Sequence, residues 1–206
     1  MFEKLLDSYP IISDQISRPS LHVVLRELAQ VLEQETTGDI AEFGCYIGTT
    51  SLFIRRFLDE TGQSAQRQYY AYDSFAGLPP KTIQDASAAG SAFKAGELKV
   101  SKKQFLREFN RAHLVPPITH KAWFNELHDS QLPETIAFAF LDGDFYESIL
   151  DSLHLTWPRL SVGGTITIDD YGRETLPGVE RAVRDFFGGN PPAVHHEHNI
   201  GILRKS

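Results

Sequence analysis

Two apolar runs, Ile136-Ala-Phe-Ala-Phe-Leu141 and Thr165-Ile-Thr-Ile168, constrain this chain more than any other feature. Runs with so few polar breaks suit strands buried on both faces, as in a parallel sheet covered by helices on either side. Between them the stretch Tyr146 to Trp157 has helical character, and Gly163-Gly164 reads as a turn before the second run. Each run also ends in acid, Asp142-Gly143-Asp144 after the first and Asp169-Asp170 after the second.

The same logic organises the rest. Leu21, Val24, Leu25, Leu28, Val31 and Leu32 recur at helical spacing over Leu21 to Glu35, with Ser20 as the expected cap. Asp39 to Gly44 reads as a short buried strand, Thr49 to Glu60 as a helix, and Gln68 to Asp73 as a second strand, an order that begins a parallel sheet. Residues 77–100 open with Gly77, Leu78, Pro79 and Pro80 and continue through Ala, Ser and Gly without periodicity, which predicts a loop insertion or mobile lid. Ser101 to Ala112 is expected to be helical, Ile118 to Phe124 a third strand and Gly178 to Phe187 a helix. The tail, Ala193 to His198 and Gly201 to Arg204, is expected to close as a hairpin around Asn199. The predicted class is α/β: a single doubly wound, Rossmann-like sheet, mostly parallel with a C-terminal antiparallel hairpin, and helices on both faces. One domain over residues 1–206 is expected, residues 1–37 forming an N-terminal helical segment.

In such sheets ligands bind beyond the carboxyl ends of the strands, so those ends carry the chemistry. The first strand ends in Glu42-Phe43-Gly44-Cys45-Tyr46-Ile47-Gly48, an E-x-G-x-x-x-G turn that brings backbone close to a ligand but lacks the pyrophosphate fingerprint of a dinucleotide site. The second ends in Asp73, where a carboxylate can accept hydrogen bonds from ribose hydroxyls. Together they point to a nucleoside-bearing cofactor without a phosphate cradle, which suits S-adenosylmethionine better than NAD; its cationic groups also suit Glu42. If the two apolar strands are neighbours, their ends lie about 4.8 Å apart. Asp142, Asp169 and Asp170 would then crowd one crevice, a costly arrangement unless a cation sits there. Carboxylate oxygens are the ligands Mg²⁺ prefers. The plainer expectation for Asp144 is a helix N-cap, and for Asp170 a turn.

Composition narrows the partners. A net charge of -7 with scattered Lys and Arg disfavours a phosphate backbone, so no nucleic acid is expected. The lone Cys45 excludes an intrachain disulfide and a cysteine-built zinc site. No membrane span is expected, and Met1-Phe2-Glu3-Lys4 lacks a signal-peptide pattern, so the expected location is cytoplasmic.

Four strings taken in order, Glu42 to Gly48, Tyr72-Asp73-Ser74-Phe75-Ala76-Gly77-Leu78-Pro79, Leu141 to Ser148, and Gly163-Gly164 with Asp169-Asp170-Tyr171, resemble the macrocin O-methyltransferase (TylF/MycF) family over roughly Ile40 to Phe187. The resemblance implies a class I methyltransferase fold and Mg²⁺-dependent methyl transfer from S-adenosylmethionine to a hydroxyl of a sugar-containing small molecule, leaving S-adenosylhomocysteine. Cofactor contacts would fall on Glu42, Phe43, Gly44, Cys45, Tyr46, Asp73, Ser74, Phe75, Gly77, Ala122 and Trp123. Metal ligands would fall on Asp142, Asp169 and Asp170, with Asp142 also the nearest base. This chain's N-terminal part is shorter than in the macrolide enzymes, where it contributes to acceptor and subunit contacts; acceptor identity and any homo-oligomer stay open. His120 and His128 flank Trp123, and His196 and His198 would share one face of the tail strand near His195, none with a clear role. A catechol-type O-methyltransferase, a metal-dependent phosphoester hydrolase and a non-catalytic cofactor-binding module are the competing readings.

Overall fold

A computed structural model describes residues 2–206. The chain runs α1 (Phe2–Ser8), α2 (Arg18–Glu33), β1 (Asp39–Phe43), α3 (Thr49–Glu60), β2 (Tyr69–Asp73), α4 (Lys102–Arg111), β3 (Ile118–Lys121), β4 (Ile136–Leu141), α5 (Tyr146–Thr156), β5 (Leu160–Ile168), α6 (Pro177–Phe186), β6 (His195–Glu197) and β7 (Ile200–Arg204). The sheet order is β3-β2-β1-β4-β5-β7-β6. The pairs β1–β2, β1–β4, β2–β3 and β4–β5 are parallel, and β7 is antiparallel to both β5 and β6. The chain therefore builds outward from β1 on one side and restarts at β4 on the other. The carboxyl ends of β1 and β4 flank the switch point, where connections leave in opposite directions and open a crevice.

The period-2 alternation of the central strands divides the core. Ile40, Phe138 and Phe140 pack with α1, α2 and α3 on one face, while Ala41, Phe43, Ala139, Leu141, Ile166 and Ile168 pack with α5 and α6 on the other. Burying each large side chain contributes about 1.5–3 kcal/mol, so these continuous runs are the main adhesive of the sheet. A third cluster, with Cys45, Leu52, Phe75, Phe105 and Phe109 buried together, fixes α4 beneath the ends of β1 and β2.

Several local expectations shift. Helix α2 begins earlier than its apolar periodicity: Ser17 is its cap, accepting from the Ser20 amide at 3.1 Å, with Pro19 in the first turn. Ser20 lies inside the helix and donates to the His198 carbonyl. The third strand stops at Lys121, and Phe124 to Glu126 form a single 3-10 turn. Gly163-Gly164 does not precede β5 but lies within it; the Gly163 amide bonds to the Lys205 carbonyl, and Gly163 takes φ 80°, a left-handed conformation open to glycine. The helix N-cap expected of Asp144 is absent, because Asp144 has φ 58° and Phe145 occupies the cap position without a side-chain cap.

Residues 77–98 form an irregular strap pinned at both base and tip. At its base, the Leu78 amide bonds to the Glu97 carbonyl and the Gly96 amide to the Leu78 carbonyl. At its tip, Asp85 is buried and accepts from the amides of Thr82 (2.8 Å) and Tyr146 (2.7 Å), the latter being the first residue of α5. Asp85 thus supplies the cap that Phe145 cannot, in trans. The second residue of α6, Gly178, leaves no room for a Cβ against this carboxylate. Arg181 binds the carbonyls of Gln84 and Ala86, and Ser87 binds that of Glu174.

Candidate active site

A cleft with a volume of about 260 Å³ opens at the switch point. Of the residues singled out in the sequence, Gly44, Tyr46, Asp73, Ser74, Gly77, Trp123, Asp142, Asp169 and Asp170 line it. Glu42, Phe43, Cys45, Phe75 and Ala122 do not.

The difference follows from strand geometry. Glu42 shares the face of Ile40, so its side chain turns toward α3, is 1% exposed, and is bonded by Ser51 (2.6 Å) and by the Tyr69 hydroxyl. Its Oε1 has no partner. Burial pushes its carboxyl up to about 7 against those hydrogen bonds, and the charge of Asp73 adds to the rise. Phe43 faces the other way and stacks on Tyr72 with centroids 4.5 Å apart. Cys45 and Phe75 are buried in the third cluster and act through their amides. Ala122 donates its amide to the Asp73 carbonyl.

Those amides converge on one carboxylate. Asp73 Oδ2 accepts from Cys45 (2.8 Å) and Tyr46 (3.0 Å), and Oδ1 from Phe75 (2.6 Å). A carboxylate offers roughly four lone-pair sites, so Asp73 mainly moulds the β1 loop and keeps about one site for a ligand hydroxyl. Burial raises its pKa while the three N–H donors pull it down. The loop lies against the other half of the cleft: Gly44 has φ 89°, and a Cβ there would overlap the Asp142 carbonyl oxygen.

At the ends of β4 and β5 no such partners exist in that number. The register pairs Leu141 with Ile168, so Asp142 and Asp169 follow on adjacent strands, as the sequence predicts for neighbours. Asp169 and Asp170 are 6% and 8% exposed. Burial first, and then the charges of Asp169, Asp144 and Asp170, drive the Asp142 carboxyl well above the usual range; burial and then Asp170 do the same to Asp169. Arg173 bonds Asp170 Oδ1 at 2.8 Å and meets part of this negative charge. Among the described residues, no three His, Cys, Asp or Glu side chains converge closely enough to hold a metal ion as they stand.

The histidines take no part in the cleft. His120 stacks on Tyr72 at 5.4 Å and contacts Gln131, and His128 is exposed. His196 packs edge-on against Tyr171. His198 sits in the hairpin turn at φ 49°, off the strand, so the shared face expected for His196 and His198 does not form. It lines a separate cleft with Glu3, His22 and Glu197. Sequence reading missed Gln15, Phe93, Ser148, Asp151 and Arg173 as cleft residues. Ser148 and Asp151 lie three apart on α5, a spacing that does signal a shared face; Gln15, in an aperiodic segment, carries no such signal.

Fold and cleft together define a Rossmann-like methyltransferase. The chain matches the macrocin O-methyltransferase (TylF) family over residues 11–190 and belongs to it. It is 34% identical over 164 residues to the 8-demethyl-8-(2,3-dimethoxy-alpha-L-rhamnosyl)-tetracenomycin-C 4'-O-methyltransferase of Streptomyces olivaceus, covering 77% of this chain and 61% of that one. With the mycinamicin III 3''-O-methyltransferase of Micromonospora griseorubida it shares 27% over 188 residues, 87% and 72% of the two chains. The structure of the O-methyltransferase NovP superposes with a TM-score of 0.75 at 25% identity, covering 90% of this chain and 79% of that one. The chain spans 61% of the tetracenomycin enzyme and 55% of the demethyldecarbamoylnovobiocin O-methyltransferase of Streptomyces niveus. Among the described residues no helix is long and apolar enough to cross a membrane.

Proposed function

We propose that this protein transfers a methyl group from S-adenosylmethionine to a sugar hydroxyl of a small-molecule natural product, with Mg²⁺ held by Asp142, Asp169 and Asp170. The observation that carries this reading is that one cleft joins the Asp73-moulded loop to the aspartates ending β4 and β5. The names of the relatives, which act on rhamnosyl-tetracenomycin and mycinamicin, favour a glycosylated acceptor.

The donor set fits a hard divalent cation by type: three carboxylates at adjacent strand ends, with proton affinity raised by burial and neighbouring carboxylates at Asp142 and Asp169, and by burial against the pull of Arg173 at Asp170. Arg173 binds Asp170 through Oδ1, which leaves Oδ2 as the oxygen that would face the cation. When bound, the cation lowers the pKa of an adjoining hydroxyl. The remaining work falls to the chain itself. Gly44, Tyr46, Asp73, Ser74, Gly77 and Trp123 bind and orient the cofactor, placing its methyl group over the β1–β4 crevice. Asp142 is the nearest base to accept the acceptor's proton as oxygen attacks the methyl carbon in line with the departing sulfur. Leu78, Pro79, Phe93 and Leu98 of the strap roof the cleft and exclude water.

The test is transfer of labelled methyl from S-adenosylmethionine into a panel containing aryl rhamnosides and catechols, with and without EDTA. Label on a sugar hydroxyl, lost with EDTA and restored by Mg²⁺, is expected. Label on catechol alone would overturn the sugar assignment, and indifference to EDTA would overturn the metal.

A further inference from the structure

Between α1 and α2 the chain runs from Tyr9 to Ser17 without regular structure, yet it is fastened along its length. Tyr9 lies 3.9 Å from the Arg56 guanidinium of α3, Ile11 packs against the core of that face, and Ile16 is buried in it. Between these anchors the Ser13 hydroxyl bonds that of Thr49, the first residue of α3, at 2.8 Å. The segment is thereby held across the loop that leaves β1, and Gln15, two residues on, lines the cleft alongside Gly44 and Tyr46.

Sheet order says which part of a cofactor meets it. With the strands arranged β3-β2-β1-β4, a nucleoside with its base near Trp123 beyond β3 and its ribose at Asp73 on β2 must extend its amino-acid arm over the β1 loop. That arm ends in an ammonium and a carboxylate. The ammonium and sulfonium are well served by the acidic lining, in which Asp73, Asp142, Asp144, Asp169 and Asp170 all take part. The carboxylate is not, because Arg173 is engaged by Asp170. It needs neutral hydrogen-bond donors. The side-chain amide of Gln15 is one: its Nε2 gives one hydrogen to the exposed Asp14 Oδ1 at 2.7 Å and keeps a second for a ligand, and α3, whose N-cap Gly48 has no side-chain cap, presents a favourable dipole beside it.

We infer that Gln15, held in place by the Ser13–Thr49 bond, is a cofactor-binding residue that donates its side-chain amide to the carboxylate of the methionyl arm. This rests on the adenosylmethionine reading above and adds a recognition element for the amino-acid end of the cofactor from outside the β1 and β2 loops.

The test compares two ligands by calorimetry on the full chain: S-adenosylhomocysteine, and 5'-methylthioadenosine, which lacks the amino-acid arm. Gln15→Ala is expected to weaken S-adenosylhomocysteine about tenfold, the size of one hydrogen bond to a charged group, and to leave 5'-methylthioadenosine within about twofold. Gln15→Glu, which sets a like charge against the carboxylate, is expected to bind S-adenosylhomocysteine more weakly still. Ser13→Ala should show the same selectivity at a few-fold size. Equal loss for both ligands, no loss for either, or a Gln15→Glu variant that binds as tightly as the unaltered chain would each overturn the inference. If the unaltered chain binds neither ligand, the cofactor reading itself fails, an outcome distinct from all of these.

Discussion

The two halves of the cleft treat their carboxylates in opposite ways. At the β1–β2 end the protein satisfies Asp73 itself, aiming three backbone N–H groups at one side chain. At the β4–β5 end Asp142 is buried within reach of the charges of Asp169 and Asp170, with Arg173 as a partial counterion. A carboxylate with its hydrogen bonds complete is scaffold that a ligand docks upon. Crowded carboxylates store electrostatic repulsion that an incoming cationic or protic ligand relieves. The first half has its hydrogen bonds complete without a ligand, and the second carries charge that a cation would relieve.

Breaking the second half should have the largest effect on chemistry and little on binding. Asp142→Asn or Asp169→Asn is expected to lower methyl-transfer turnover by about 10²–10⁴-fold, the range for loss of a proton acceptor, while S-adenosylhomocysteine affinity by calorimetry stays within a few-fold. Retained turnover would remove the functional distinction between the halves.

Breaking the first half should reverse that pattern. Asp73→Ala strips an acceptor from three amides at once, and each hydrogen bond to a charged group is worth about 1.5–3 kcal/mol. Cofactor affinity should fall by about two orders of magnitude, with a lowered melting temperature. An unchanged affinity would mean that the loop holds its shape without Asp73.

A third test concerns the buried Glu42 behind the loop. Its carboxyl is held at about 7, above the ordinary 4.5, chiefly by burial. The folded state therefore holds this proton more tightly than the unfolded chain, so the contribution of Glu42 to stability is full below pH 4.5 and is lost as pH rises through about 7. The linked loss is about 2–3 kcal/mol. Urea unfolding across that window should show the decline in the unaltered chain and a flatter profile, by that amount, in Glu42→Gln. Parallel profiles for the two proteins would mean that Glu42 does not carry the proton.

The smallest expected effect lies in the strap spanning both halves. Asp85→Ala removes the trans cap of α5, a loss of about 1 kcal/mol. Global stability should fall by no more than that, and proteolysis within residues 81–95 should accelerate and then slow on addition of S-adenosylhomocysteine. Cleavage at an unaltered rate would show that Arg181 and Ser87 pin the strap without Asp85.

Much of this was legible in the residues. The apolar runs of β4 and β5 admit burial on both faces and little else, so both strands and their acidic ends were legible from pattern, while their pairing, on which the adjacency of Asp142 and Asp169 depends, stood as a condition that the sheet order meets. The glycine loop and Asp73 were legible for the same reason: strand ends in an open α/β sheet have one place to go. Facing was harder to read. Glu42 lies in a motif that suggests ligand contact, yet alternation along β1 sends it to the α3 side, and one residue's shift in register would have reversed that.

What the sequence by itself determined is the sheet, its strand ends and the family, because periodicity and ordered motifs are local properties that survive without coordinates. Tertiary structure alone decided which side chains at those ends reach the cleft, that Asp85 caps a helix 61 residues away, and that Gln15 joins the site. Those facts depend on contacts between segments distant in the chain, and no local pattern encodes the packing that brings them together.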